Sequence, residues 1–364
     1  MMMRKFLLFF FCCCFIFSVS KAQDSTHHSP FTFSGYVDVY AATYNDSVGA
    51  SNFQKFPTVS PRSNQFGLNV AMFTAKYSTE KIRSTVAVHF GDIARSTWSG
   101  NYPFVQEANV GFRLSKKVWL DGGLFRTHFG TECLLPKENY TSSVAVATFF
   151  EPYYEAGFKL NYNASEKLTL NFFVFNGYGI YDDNNQKKSA GVLATYVFND
   201  RWNVGYSNYI GDESSDTNKV SMLRSFHNFF FNYHYKKFRF TTGVDLNWQQ
   251  HSYINKPNQS AFMYTALAIA DYQIAKLTDV YCRAEMLNDA QGFMTGIMTD
   301  KNNVLTGLKV WGATLGVQYK PTENSYVRLE TRYLAADKAQ EIFYWNGEHT
   351  NTRMEWTVNM GVWF

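Results

Sequence analysis

The stretch that most limits what this chain can become is Met354 to Phe364, which alternates apolar and polar residues to its last position. Met354, Trp356, Val358, Met360, Val362 and Phe364 are apolar, and Glu355, Thr357, Asn359 and Gly361 fall between them. Period two puts successive side chains on opposite faces of a strand. In a water-soluble sheet such a strand would be an aggregation-prone edge, apolar on its open face. It makes sense if the apolar face meets lipid and the free edge pairs with the first strand to close a barrel.

The same beat recurs along the chain. Alternating segments of roughly ten residues, the length a tilted strand needs to cross the apolar layer, are expected near 32–44, 64–78, 82–92, 103–115, 118–127, 152–163, 167–178 and 189–199. Eight more follow near 202–211, 225–235, 238–249, 261–272, 279–288, 308–320, 325–336 and 354–364. The expected fold is therefore all-β, a closed antiparallel transmembrane barrel of about sixteen strands. The connections alternate too. Short ones such as Ser115–Lys117 and Lys236–Lys237 interleave with long polar ones such as Asn45–Ser63, His128–Glu151 and Asn288–Gly307. Short turns on one side and long loops on the other suit a barrel in an outer membrane, with both termini on the short-turn, periplasmic side. Aromatic residues make up 18% of the chain, in keeping with strands and with interfacial girdles. No apolar run after residue 22 is long enough for a membrane helix.

The N-terminus reads as an export signal over residues 1–22. Arg4 and Lys5 precede an apolar run from Phe6 to Val19, and Ser20-Lys21-Ala22 supplies a cleavage site. A short lead-in, 23–31, then precedes the barrel, 32–364; its His27-His28 pair lacks further ligands for a metal. Losing Arg4, Lys5 and Lys21 lowers the formal charge from +4 to +1, so no nucleic-acid partner is implied. Three of the five cysteines leave as well, and Cys133 and Cys282 are expected as unpaired, buried thiols.

Alternation also marks the inward face. It carries Arg83, Arg113, Arg126, Lys159, Arg239, Arg283, Arg328 and Arg332, and Asp38, Glu107, Asp121, Glu155, Asp245, Glu285 and Glu330. Charge facing lipid costs about 2–4 kcal/mol at mid-depth, so that face must see water or paired partners. One reading is a charged, water-filled lumen; the other is an interior of neutralised ion pairs, partly plugged. Near-equal numbers of the two signs predict weak charge selectivity, since a ring of one sign is what selects. The connection His128–Glu151 is long enough to fold inward, where Arg126, Glu132, Lys137 and Glu138 would narrow the lumen; an exposed outer loop is the other possibility. Asp182, Asp183, Asn184 and Asn185 lack the spacing and bidentate Glu of a dedicated Ca²⁺ site. Nothing points to catalysis or to a cofactor: there is no G-x-S-x-G elbow, no H-E-x-x-H and no P-loop, and the H-x-S at His27 lies outside any strand.

In Leu120–Glu132, the pattern Gly123-x-Phe125 followed by Gly130-x-Glu132 resembles the OmpL-like β-barrel porin family of Gram-negative outer membranes. Further likenesses follow at Gln65–Lys76, at Glu151-Pro152 with Gly157 and Tyr162, and at Asn176-Gly177. The family pattern carries an Arg beside a Ser in the long loop; here Ser142-Ser143 stands without one, so no role for that Arg carries over. The resemblance implies an outer-membrane channel for passive diffusion of small polar solutes. The alternative is a closed barrel whose loops bind a partner. A terminal Phe on an alternating strand also resembles the signal read by the barrel-assembly machinery, which makes that machinery an expected partner of Met354 to Phe364. Outer-membrane lipid and other copies of the chain are the further partners considered.

Overall fold

The computed structural model describes residues 29–49 and 51–364; the segment read as an export signal and His27-His28 lie outside the described residues. Sixteen antiparallel strands close into one barrel. They are β1 (Phe31–Tyr44), β2 (Gln65–Ser78), β3 (Ile82–Phe90), β4 (Val105–Ser115), β5 (Val118–Arg126), β6 (Tyr154–Asn163), β7 (Leu168–Phe175) and β8 (Ser189–Asn199). The second half comprises β9 (Trp202–Asp212), β10 (Leu223–Tyr235), β11 (Phe238–Gln249), β12 (Ala261–Ala275), β13 (Thr278–Asn288), β14 (Lys309–Tyr319), β15 (Ser325–Ala336) and β16 (Thr352–Trp363). Each strand pairs with its sequence neighbours, and β16 pairs with β1 in a register that joins Tyr36 to Trp363 and Tyr44 to Glu355. The seam ends in a reciprocal pair of backbone hydrogen bonds between Gly35 and Phe364, 3.0 and 3.1 Å long. The Phe364 ring lies against Gly35, where any Cβ would collide with it.

The two faces separate as the alternation predicts. On β16, Trp356, Val358, Met360 and Val362 are exposed outward, whereas Asn359 and Gly361 between them are buried inward. Outward aromatic residues gather near the short turns, as in the stacked Phe198 and Trp202 and the Phe31–Tyr77 pair. The loops hold a little structure of their own. A helix (Asp92–Thr97) follows β3, and small hairpins (Met298–Thr299 with Leu305–Thr306, Phe343–Trp345 with Glu348–Thr350) sit in the last two long loops. None of these elements was expected, because segments of two to six residues carry too little periodicity to read. The two cysteines are a correction: both are free, but exposed rather than buried. Cys282 falls on the outward face of β13, and Cys133 lies in the loop after β5.

Candidate functional site: the inward loop and the lumen wall

The connection between β5 and β6 folds into the barrel and crosses it, which decides between the two readings of His128–Glu151. It leaves β5 at Arg126, makes a 3₁₀ turn (Pro136–Glu138) and a short helix (Val146–Phe150), and returns at Tyr154. At each step the wall meets it with a polar side chain. Thr131 accepts from Asn228 of β10 (3.1 Å) and presses on Gly243 of β11, where any Cβ would collide with its hydroxyl oxygen. Glu132 pairs with Arg283 of β13 at 2.9 Å. Arg328 of β15 donates to the carbonyls of Pro136, Asn139 and Thr141 at 2.8–2.9 Å. Glu330 accepts from the backbone N–H groups of Ser142 and Ser143 at 2.7 and 3.0 Å, and Glu285 accepts from that of Val146 at 2.6 Å. Loop backbone has no ladder partner, so these strand side chains satisfy donors and acceptors that would otherwise be buried unpaired.

Arg283 is the hub. Its guanidinium also donates to the Ser143 carbonyl (2.6 Å) and hydroxyl (2.9 Å), and it lies 3.3 Å from Glu285. Glu285 in turn pairs with Arg332 at 2.8 Å, and Arg332 approaches Glu355, which also binds Arg353. The arginine beside the loop serines thus comes from the far wall, a relation no local sequence pattern could contain.

Alternation assigns a face but not a depth, and the inward charges divide accordingly. Glu132, Glu155, Asp245, Arg283, Glu285, Arg328, Glu330 and Arg332 are buried against the loop or one another, as is Asp38 beside Tyr326. Glu155 binds His128, whose other ring nitrogen meets the Asn208 carbonyl at 2.9 Å. Arg83, Lys159 and Arg239 keep part of their side chains in water, each against a buried acid: Asp121 for the first two, Asp271 and Asp279 for the third. Arg113 lies at the short-turn rim, donating to the carbonyls of Glu80, Ser115 and Lys116. Asp182 and Asp183 are held by Asn101 and Lys188.

Open space remains between the loop and the wall. A polar cavity of about 330 Å³ is lined by Glu107, Arg126, Glu132, Cys133 and Glu151. At its edge Arg126 forms a two-pronged ion pair with Glu138 of the loop. Burial alone would raise the Glu138 carboxyl, but the hydrogen bond and charge of Arg126 hold it below its usual value. Burial lowers the Lys137 ammonium, and repulsion from Arg126 and Lys76 adds to this against the attraction of Glu138. A larger groove of about 420 Å³, lined by residues such as Tyr196, Phe229 and Phe231, is apolar and lies on the outer, lipid-facing wall. The long-loop half is packed with apolar groups, among them Phe129, which also borders the cavity, Tyr209, Phe226, Met263 and Phe343.

Glu151, at the loop's exit, is buried beside Asp245 and near Glu132, and burial followed by these like charges raises its carboxyl well above the usual range. A raised folded value means the unfolded chain loses this proton first. The contribution of Glu151 to stability is therefore fullest at acid pH and falls as pH rises above the unfolded value near 4.5. Glu151→Gln keeps the neutral shape and is expected to stabilise the barrel by about 1–3 kcal/mol at pH 8, with little change at pH 4. Denaturant unfolding at the two pH values checks this, and equal effects at both would sink it.

A sixteen-stranded barrel crossed by an anchored loop, with a polar gap beside it, is the architecture of a porin. The sequence matches the family described as "Putative beta-barrel porin-2, OmpL-like" over residues 30–364, and the chain belongs to that family. No curated protein matches it. Among solved structures it is similar to the anion-selective porin from Comamonas acidovorans (TM-score 0.64, 9% identity, 93% of this chain and 100% of that one). It is also similar to the outer membrane channel DcaP of Acinetobacter baumannii (0.60, 10%, 91% and 96%) and to the trimer form of OmpT from Vibrio cholerae (0.59, 11%, 92% and 99%). At these identities the likeness is one of fold.

Proposed function

We propose that this protein sits in a Gram-negative outer membrane, exported by residues 1–22, and passes small polar solutes passively through the gap beside the inward loop. Glu107, Arg126, Lys137 and Glu138 set the narrowest section, and the buried charges of β13–β16 hold the loop in place. The observation that carries this reading is the loop itself: side chains of many strands fix it inside the barrel, yet a water-accessible, charged cavity persists along one wall. We assign no catalytic role, because Glu132, Glu155, Glu285 and Glu330 are all engaged in holding the loop or its base. The barrel-assembly machinery is the partner proposed for Met354 to Phe364. A second reading, a closed barrel whose loops bind a partner, draws on the apolar packing of the long-loop half around Phe226 and Phe343.

Planar-bilayer recording separates the two, since a channel gives stepwise conductance and a closed barrel gives none. Cys133 then locates the path. It is exposed beside the cavity, while its crowded setting and Glu138 push its thiol up to about 11. Because the thiolate is the nucleophile, a water-soluble methanethiosulfonate should reduce conductance slowly at pH 7 and markedly faster at pH 9. Labelling that leaves the current untouched would place the path elsewhere.

A further inference from the structure

The charges on the inner wall near the short turns are balanced in number more nearly than in exposure. There, β2 offers Lys76, β3 Arg83, β6 Lys159 and β11 Arg239, with Lys320 just after β14. Lys137 reaches the same space from the loop, close enough for its charge to feel that of Lys76. Three acids of the wall face these six cations, Asp121, Asp271 and Asp279, and the loop adds Glu138 beside Lys137, itself paired with Arg126. The side chains of Arg83, Lys159, Arg239 and Lys320 are 33, 27, 23 and 35% exposed, whereas those of Asp121, Asp271 and Asp279 are 3, 0 and 2% exposed. Of the other inward charges at this end, Asp38 and Arg328 are both buried, and Arg113 at the rim is turned onto turn carbonyls. The turns around this mouth carry eight further cations against four acids.

A solute at the wall therefore meets ammonium and guanidinium groups, while the three wall carboxylates lie beneath them, out of the water. Buried acids hold the cations in position without presenting acceptor oxygens to the water. A low-dielectric wall lined by one exposed sign concentrates the opposite ion. We propose that the short-turn half of this lumen is an anion-attracting vestibule, and that the protein favours small inorganic or carboxylate anions over cations. This rests on the channel reading above and gives it a sign that counting charges in the sequence could not.

The test is the reversal potential of the full-length refolded protein in a planar bilayer under a KCl gradient. The expected anion-to-cation permeability ratio is about two or more at low salt, falling as salt screens the wall. A triple variant, Lys76→Gln with Lys159→Gln and Lys320→Gln, should bring the ratio close to one. It leaves Arg83 on Asp121 and Arg239 on Asp279, so no buried acid loses its last partner. Sheet circular dichroism and heat-dependent gel migration verify folding, and the three single variants, each expected to lower the ratio in part, stand in if the triple one fails to fold. Lys301→Gln, in an outer loop, should leave the ratio where it was. A conducting wild-type protein with a ratio of one or below overturns the vestibule and leaves the channel standing. An anion-selective wild type whose triple variant is unchanged overturns the assignment to these residues. Absence of any conductance removes the channel reading, and this inference with it.

Discussion

Arg283→Ala should be the most disruptive single substitution in the lumen. The side chain is fully buried and joins Glu132, Ser143 and Glu285. Glu285 retains Arg332, but Glu132 is left as a buried carboxylate with no cation. Removing one partner of such a pair typically costs about 3–5 kcal/mol. Much of that cost should appear locally, as release of the loop from the β13–β16 wall, because the strand ladders do not depend on it. The expected result is a barrel that still forms, denatures at lower denaturant, and shows larger and noisier single-channel conductance. Glu132→Gln in the Arg283→Ala background should restore part of the stability, since it removes the orphaned charge. If Arg283→Ala matches the wild type in both conductance and stability, the loop is held by something else.

The second large effect separates the two faces of a single strand. Thr85 and Val86 are adjacent in the middle of β3, with Thr85 inward and Val86 51% exposed outward. Val86→Arg places a guanidinium in lipid near mid-depth and should destabilise the barrel by about 2–4 kcal/mol. Thr85→Arg points into lumen water and should change stability by no more than about 0.5 kcal/mol. Unfolding from lipid vesicles measures both, and similar costs at the two sites would contradict a lipid-facing exterior.

The barrel was open to inspection in the sequence because a membrane imposes a rule at every residue. One face must be apolar, the strands must be about ten residues long, and connections must alternate between short and long. The expected strand limits fall within a few residues of those observed, and the 189–199, 238–249 and 325–336 segments coincide with theirs. What alternation cannot supply is depth and partnership. Arg328 and Arg83 look alike on their strands, each inward and each near a short turn. One is buried on three loop carbonyls and the other is a third exposed. That difference is set by a loop some 190 residues from Arg328 in sequence. The same blindness applies to Cys133, whose exposure depends on where the loop comes to rest.

The inward loop has a mechanical consequence as well. A tube one strand thick is easily flattened, because neighbouring strands can hinge about their ladder. Here a peptide strut joins β5 and β6 to β10, β13 and β15 by hydrogen bonds and ion pairs at both ends. Such bracing fixes the distance between opposite sides, so the bore should stay round and constant when the bilayer thins, thickens or is stretched.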